Sequence, residues 1–354
     1  RLLGSGFNMQ KFFLLALFAL TFPSMAAADI IDADRRTLDD IMYLPRDAAA
    51  NWVPQMFLDI RYPWPEKYIE RFRQPFNPHM FKRNASALRQ YAEKSSDNAT
   101  IVLRQAEYLD FVASHYIVQD GQCSYVTNEF DYGYIGLTFQ NGFRGAFMSN
   151  HTAYGYIDLY EATGNKAYLE TAYALLRSSA FCETDEVFLH WEDEEGYLWL
   201  NEYVFKITPE EEARAKLIGM TPGPDGWFRA EVFNGHISAL IAYIRYEQVT
   251  GTKEFDEVIR RSIATAERYL PDQIFEDRYF AYMNHFYLWP DYGQERAVRL
   301  AQGLCEISPS ESLCATAQRM EALFETKIKG HEQQILTENR AVGKETLNRQ
   351  LSQN

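Results

Sequence analysis

The segment Trp227-Phe-Arg-Ala-Glu-Val-Phe-Asn-Gly-His-Ile-Ser-Ala-Leu-Ile-Ala-Tyr243 predicts a buried helix that is entered from a turn at Asn234-Gly-His236. The helix is predicted to end at Thr250-Gly251, because glycine favours the left-handed conformation that terminates helices. A weaker copy lies upstream, as Gly142-Phe-Arg-Gly-Ala-Phe-Met-Ser-Asn-His-Thr-Ala153 followed by Tyr160-Glu-Ala-Thr-Gly-Asn-Lys166. Repeated helical hairpins predict a stacked or closed helical array. The polar turn at the end of a buried helix is a candidate functional site.

Composition limits the class of protein. The chain has 354 residues, of which 47% are hydrophobic and 15% aromatic, so one or two domains with a large core are expected. Its formal net charge is −14, which argues against nucleic acid and anionic membrane surfaces as partners. The same charge argues mildly against a polyanionic substrate, unless basic residues gather in one cleft.

Residues 1–28 carry the pattern of an export signal. Residues 1–8 are interpreted as a vector-derived remnant, and Met9-Gln-Lys-Phe-Phe-Leu-Leu-Ala-Leu-Phe-Ala-Leu-Thr-Phe22 has a charged start followed by a short apolar core. Ala26-Ala-Ala28 supplies small residues for cleavage. The mature chain is therefore expected to begin near Asp29 and to be secreted or periplasmic. No later apolar run is long enough to span a bilayer.

Three further segments follow from proline content and periodicity. An extended, proline-rich N-terminal arm with short helices is expected over 29–96, with a partly ordered leader as the alternative. A helical domain is expected over 97–329, and alternating Tyr, Val, Ile, Thr and Phe predict strands within it over 123–139. Residues 330–354 have no core pattern and are expected to form a frayed helix or a polar C-terminal tail.

The four cysteines indicate disulfides, because the chain is expected to be exported. Cys305 and Cys314 flank a short segment and are the favoured pair, which leaves Cys123 with Cys182. Four buried free thiols are the alternative. Neither pair has zinc spacing, and no metal or other cofactor is expected. Calcium at Glu192-Asp-Glu-Glu195 is a weaker interpretation than a solvated run of charges.

The candidate functional residues are Tyr, Glu, His, Asn and Arg side chains near predicted helix ends. Standard motifs are missing from the sequence: there is no glycine-rich phosphate loop, no His-Glu-x-x-His and no Gly-x-Ser-x-Gly. These residue types suit removal of a proton next to a carboxylate, as at C5 of a uronic acid. That reaction needs a base, a group that neutralises the sugar carboxylate and a second proton donor. The candidates are Tyr132, Tyr134, Arg144, Glu202, Tyr203, Arg229, Asn234, His236, Tyr282, His285, Tyr292 and Arg296.

Each candidate also has a structural interpretation. Glu202 can cap a helix or pair with an arginine. His236 and His285 can hydrogen-bond backbone carbonyls, and Tyr292 can belong to the core. A tyrosine base, whose ordinary pKa is about 10, needs a nearby positive group. The arginines available for that task are Arg144, Arg229 and Arg296.

Residues 120–304 resemble the C-terminal helical domain of the D-glucuronyl C5-epimerases of heparan sulfate and heparosan metabolism. An aromatic segment, Asn128-Glu-Phe-Asp-Tyr-Gly-Tyr134, precedes the first helical repeat, as in the family. Trp199-Leu-Asn-Glu-Tyr203 resembles the family's Trp-Tyr-Glu-Glu-Tyr segment. Phe233-Asn-Gly-His-Ile-Ser-Ala-Leu-Ile-Ala-Tyr243 is similar to its Leu-Asn-Gly-Phe-x-x-Ser-Leu-Ile-Gly-Leu-Tyr helix, and Asp291-Tyr292 is similar to a late Asp-Tyr pair.

The resemblance implies a mainly α fold, an incomplete (α/α) toroid of helical hairpins with short β-hairpins at a cleft that binds a uronic acid polymer. It implies that Glu202 and Tyr203 are a catalytic pair, that Tyr292 is the late catalytic tyrosine and that Tyr282 lies close to another. We expect Glu202 or Tyr203 to act on one face of the sugar and Tyr292 on the other. Arg229 and Asn234 would neutralise the carboxylate. His236 replaces the family's phenylalanine and is expected to mark a changed substrate.

The expected function is therefore an exported uronyl C5-epimerase-like enzyme, an isomerase whose partner is a uronic-acid polysaccharide or oligosaccharide. A polysaccharide lyase is the runner-up, since it shares the proton abstraction and then expels the 4-O substituent. A glycoside hydrolase would pair Glu202 with Asp193 or Glu231. A non-catalytic glycan-binding protein of the envelope is the alternative from another class. Homodimer formation is left open.

Overall fold

The fold is mainly helical with small antiparallel sheets, which confirms the predicted class. The computed structural model describes residues 33–42, 77–94, 99–134, 136–182, 188–281 and 293–338. Its helices are α1 (Arg35–Ile41), α2 (Pro78–Lys94), α3 (Ala99–Ser114), α4 (Ala146–Thr163), α5 (Lys166–Phe181), α6 (Glu212–Leu217), α7 (Phe233–Thr250), α8 (Asp256–Tyr269), α9 (Gln294–Ile307) and α10 (Glu311–Leu323).

The strands are short and lie between the helices. The two-stranded sheets pair β1 (Ile117–Asp120) with β2 (Cys123–Val126), β3 (Tyr132–Tyr134) with β4 (Leu137–Phe139), β5 (His190–Glu192) with β6 (Leu198–Leu200), and β10 (Ile274–Phe275) with β11 (Tyr279–Phe280). A three-stranded sheet has β9 (Trp227–Ala230) between β7 (Tyr203–Lys206) and β8 (Thr221–Pro222). The strands predicted within 123–139 are thus confirmed.

Helices α4 and α7 form the centre of the described body, and they are the two copies predicted from the sequence. Each has 18 residues and packs against the other, and both are buried along most of their length. Each ends at a glycine with a positive φ, 72° at Gly164 and 71° at Gly251, where a residue with a side chain would be strained. The partners α5 and α8 follow directly. The predicted helical repeat is therefore confirmed.

The Asn234-Gly-His236 segment is not a turn, which corrects the sequence prediction. Helix α7 already begins at Phe233, so these three residues occupy its first turn, and Val232 precedes the helix as the N-cap. Gly235 has no positive φ that would call for glycine. The reason for a glycine at this position lies in what packs against it, as described below.

The described parts of the predicted N-terminal arm are helices packed on the body, not extended chain. Helix α2 packs along α4, and its buried face includes Phe81, Ala85 and Leu88. Proline at its first position is compatible with a helix start, and no proline or glycine follows within it. Helix α1 packs against α9 and α7, with the Ile41 side chain lying over Gly303. Helices are expected within the arm, and they are present at residues 35–41 and 78–94.

Both predicted disulfides are present, Cys123–Cys182 and Cys305–Cys314. They agree with folding in an oxidising compartment. The predicted signal peptide, residues 1–28, lies outside the described residues, as do residues 339–354 of the predicted tail. Among the described helices, none combines the length and the apolar character that a membrane span requires.

The joint between α7 and α8 gives the stability of the fold a specific pH dependence. Glu247 is fully buried, accepts a hydrogen bond from the Phe255 N–H at 2.8 Å and is hydrogen-bonded to Asp256. Burial raises its pKa from 4.5 to about 7, with a further contribution from Asp256. Because the folded state favours the protonated acid, its contribution is complete below pH 4.5 and is lost as the pH rises through about 7.

We therefore expect Glu247→Gln to remove part of this pH dependence. The difference in the free energy of unfolding between wild type and variant should change by about 1–3 kcal/mol between pH 4.5 and 8, with the wild type losing stability on the alkaline side. Urea unfolding at a series of pH values measures this difference. A difference that stays constant across the range would show that Glu247 is ionised in the folded protein.

Candidate active site

Glu202 lies in the short link between β6 and β7, at the point where the two central helices begin. Its backbone N–H donates to the Ala230 carbonyl at 3.3 Å, and the N–H of Phe147, in the first turn of α4, donates to the Asn201 carbonyl at 3.4 Å. Glu202 is only 2% exposed. The predicted catalytic carboxylate is thus held inside the protein, between β9 and the start of α4.

Two glycines leave the space that Glu202 occupies. Gly145 precedes α4, and a Cβ atom placed on it would overlap the Glu202 carbonyl oxygen. Gly235 is in the first turn of α7, and a Cβ atom there would lie 2.5 Å from the Glu202 Cβ and 2.7 Å from its Oε2. These distances are shorter than van der Waals contact, so neither position accommodates even alanine without movement. Both helix N-termini are therefore in contact with Glu202.

The position of Glu202 is electrostatically favourable for a negative charge. The first amide groups of an α-helix have no carbonyl partner within the helix, and the helix dipole places partial positive charge at this end. Here the N-termini of α4 and α7 meet at the same residue. Of the two, the N-terminus of α7 lies against the Glu202 side chain, and it stabilises an ionised carboxylate by about 0.3–1 kcal/mol, or by up to ~2 kcal/mol where partly buried.

Tyr203 lies next to Glu202, within an aromatic cluster. Its ring centroid is 5.2 Å from that of Tyr134, 5.6 Å from Phe139 and 6.3 Å from Tyr132. The structure therefore brings together four predicted site residues: Glu202, Tyr203, Tyr132 and Tyr134.

The Tyr203 phenol is hydrogen-bonded to Glu202. Burial raises the pKa of this phenol well above its usual range, and the nearby Glu202 and Tyr134 raise it further. The largest contributions to this shift are burial, Glu202, Tyr134 and Tyr132, and the arginine expected to lower the pKa of a tyrosine base is not among them. In neutral solution Tyr203 keeps its proton and acts as a donor, so Glu202 is the member of the pair that can accept a proton.

Arg144 and Arg229 lie on the other face of the small sheet. Residues paired across antiparallel strands share a face, and successive residues alternate. Tyr203 pairs with Ala230, whereas Val204 pairs with Arg229 and also bridges to Arg144. The two arginines therefore share the face opposite Tyr203.

Both arginines are engaged by aromatic side chains. The Arg144 guanidinium carbon lies 4.2 Å from the Trp227 ring centroid and 4.8 Å from that of Tyr125. The Arg229 guanidinium carbon lies 3.4 Å from the ring centroid of Trp191, and its Nε is 3.7 Å from Glu231 Oε1. Burial lowers the pKa of Arg229 to about 10, so it remains a cation at neutral pH. In this structure Arg229 is covered by Trp191 and does not lie beside Tyr203.

Asn234 and His236 follow one another on α7 but have different environments. Asn234 is 9% exposed, and its Oδ1 has no hydrogen-bond partner among the described residues. Its side chain therefore remains a candidate for contact with a ligand. His236 is completely buried, and both ring nitrogens bind the protein backbone. The prediction that His236 contacts substrate is corrected, because no ring nitrogen is left to reach a ligand.

The remaining candidates do not join this group in the described structure. Arg296, on α9, donates to the Ile41 carbonyl at 2.8 Å and so holds the end of α1. Burial lowers its pKa to about 9, with a smaller contribution from Arg299. Tyr282, His285 and Tyr292 lie outside the described residues, so their predicted roles stay predictions.

The acidic residues considered for hydrolysis or calcium binding have protein partners. Asp193 accepts hydrogen bonds from the Tyr269 hydroxyl at 2.6 Å and from Trp199 Nε1 at 3.3 Å. Glu231 lies beside Arg229, and Glu192 and Glu195 pair with Arg261 and Arg268. Within the described ranges, no group of three or more histidine, cysteine or acidic side chains is arranged to hold a metal ion.

Comparison with known proteins gives no family assignment. No protein-family model matches the chain, and a search of curated proteins finds no match.

The sequence prediction missed the role of Gly145 and Gly235. Both stand at the start of the two predicted repeat helices, where the sequence shows small residues but not what packs on them. A glycine at the start of an apolar helical pattern, away from the end of the helix, is the signal that could have indicated close approach of another group.

Proposed function

We propose that this chain is an exported uronyl C5-epimerase-like enzyme that acts on a uronic-acid polysaccharide, on an incomplete (α/α) toroid. One observation carries the proposal: the Glu202 carboxylate is hydrogen-bonded to the Tyr203 phenol and lies at the N-terminus of α7. This arrangement combines a proton acceptor with a proton donor. The location also favours negative charge.

In the proposed reaction, Glu202 removes the C5 proton of the uronic acid. The electrons left on C5 delocalise into the adjacent carboxylate, so negative charge develops on the sugar carboxylate oxygens. Preorganised donors directed at developing charge are the strongest general contribution an active site can make. The Asn234 side chain and the first-turn amides of α7 take the part first expected of Arg229.

Completion of the reaction needs a proton on the opposite face of C5. Tyr292 is proposed for this step on the strength of the sequence resemblance. Tyr203 remains protonated and donates to Glu202 before the transfer. A positioned general base or acid contributes about 10²–10⁴-fold to the rate.

A polysaccharide lyase is the second candidate, and the state of Tyr203 favours it. A phenol that keeps its proton, next to the carboxylate that removes the C5 proton, can donate that proton to the departing 4-O group. Both reactions therefore begin with the same step at Glu202 and differ in the fate of the intermediate.

The test is a panel of uronans incubated with the protein in D₂O. Heparosan, alginate and other uronans are followed by NMR for deuterium at C5, and by ultraviolet absorbance for an unsaturated product. Deuterium without absorbance supports the epimerase, and absorbance supports the lyase. Binding without either signal on every uronan would contradict the proposal and favour a glycan-binding protein.

A further inference from the structure

His236 connects three elements of the fold through two hydrogen bonds. Its Nδ1 accepts the backbone N–H of Leu200, at the end of β6, at 3.0 Å. Its Nε2 lies 2.9 Å from the carbonyl oxygen of Ser262, in α8. An amide N–H only donates and a carbonyl only accepts, so the ring must be neutral with its proton on Nε2. Burial lowers the pKa of His236 to about 4, which agrees with a neutral ring.

Leu200 begins a run of three amides that leads into Glu202. The Leu200 N–H binds His236, the Asn201 N–H donates to the Leu189 carbonyl at 2.9 Å, and the Glu202 N–H donates to the Ala230 carbonyl at 3.3 Å. Each amide is therefore held by a different part of the chain. The bonds of Leu200 and Asn201 fix the backbone that leads into Glu202.

Gly235 and His236, at consecutive positions of α7, both contact the Leu200–Glu202 segment. Gly235 leaves room for the Glu202 side chain, and His236 binds the backbone two residues before Glu202. Of these two residues, only His236 supplies a side-chain hydrogen bond, because Gly235 has no side chain. The location of Glu202 against α7 therefore depends on the acceptor nitrogen of His236.

We infer that His236 is a positioning residue, which holds Glu202 at the N-terminus of α7 by accepting the Leu200 N–H. Its effect on catalysis rests on the proposed function, whereas its effect on the backbone does not. The acceptor at Nδ1 is the important atom, and the bond to Ser262 serves to fix the ring.

Two substitutions separate the two ring nitrogens. His236→Asn places an amide oxygen on Cγ, where Nδ1 is attached, so an acceptor for Leu200 is kept and the donor to Ser262 is lost. His236→Gln places its amide group further out, so a donor to Ser262 is kept and the acceptor for Leu200 is lost. Both variants replace the imidazole ring with a polar amide side chain. Each is therefore a control for the other.

The first readout is amide hydrogen exchange of the Leu200–Glu202 segment. We expect His236→Asn to exchange at nearly the wild-type rate, and His236→Gln to exchange about tenfold faster at Leu200, as expected for loss of one buried hydrogen bond. The second readout is C5 deuterium exchange on the uronan that responds in the panel. In His236→Gln, kcat should fall about tenfold with little change in KM, because Glu202 is displaced while other substrate contacts stay. His236→Asn should restore most of kcat.

The outcomes separate this inference from the proposed function. If no uronan exchanges deuterium with the wild type, the proposed function fails, while amide exchange still decides whether His236 positions the segment. Equal amide exchange in both variants, or an unchanged kcat in His236→Gln, would overturn the inference. If a variant does not fold, the wild type provides the test: NMR should detect a scalar coupling between the Leu200 amide nitrogen and His236 Nδ1. Absence of that coupling would also overturn it.

Discussion

Glu202→Gln is expected to lower the rate of C5 deuterium exchange by about 10²–10⁴-fold, the usual contribution of a general base. Glutamine has nearly the same shape as glutamate and still accepts the Tyr203 hydroxyl, but its amide does not take up a proton from carbon. The buried position next to Gly235 should therefore be filled without overlap. The rate is measured by NMR in D₂O on the uronan that responds to the wild type.

The control for this variant is Glu195→Gln, on the exposed turn between β5 and β6, where Glu195 pairs with Arg268. This change removes the same charge away from Glu202 and should leave the exchange rate within about twofold of wild type, because exposed ion pairs contribute little. Thermal unfolding of both variants checks that they are folded. A folded Glu202→Gln protein with wild-type exchange would exclude Glu202 as the base.

Gly235→Ala is expected to lower the same rate by about 10²-fold, because the added methyl group displaces Glu202. The new Cβ would lie 2.5 Å from the Glu202 Cβ and 2.7 Å from Oε2. Alanine favours a helix over glycine by about 0.5–1 kcal/mol, whereas overpacking a buried site costs about 1–3 kcal/mol. Stability should therefore change little or fall slightly. Activity should change far more, since a displacement of about 1 Å costs on the order of 10²-fold.

Gly133→Ala is the matched control, because a Cβ atom on this exposed glycine of β3 meets no atom within 4 Å. It should leave both the exchange rate and the melting temperature close to wild type. If Gly235→Ala keeps wild-type activity, the close contact between α7 and Glu202 does not position the carboxylate. Comparison of kcat with KM then shows whether any loss arises from chemistry or from binding.

The local features of the fold were predictable because they depend on neighbouring residues. The glycines at 164 and 251 end two helices of equal length, and the apolar spacing before them predicted helices. Cysteine number and the expected export predicted both disulfides. The placement of Glu202 beside Tyr203 followed from their being consecutive, and β3 and β4 place Tyr132 and Tyr134 beside them.

The features that the sequence did not predict depend on contacts between distant segments. The alternation of β7 and β9 sends Arg229 to the face opposite Tyr203, and this requires the register between two strands. His236 could have faced a cleft or the interior, and only the positions of Leu200 and Ser262 show that it faces the interior. From the local sequence, Gly235 indicated a turn. In the structure, glycine is needed there because the Glu202 side chain, 33 positions earlier in the sequence, packs against it.

The central claim is that Glu202 removes the C5 proton of a uronic acid and that a proton from solvent returns to the opposite face. The most direct test follows a uronan in D₂O by NMR with wild-type protein and with Glu202→Gln. The account predicts that wild type produces C5-inverted residues that carry deuterium, and that the variant produces almost none. Inverted residues that retain their original C5 hydrogen, or equal deuterium incorporation by the two proteins, would contradict it.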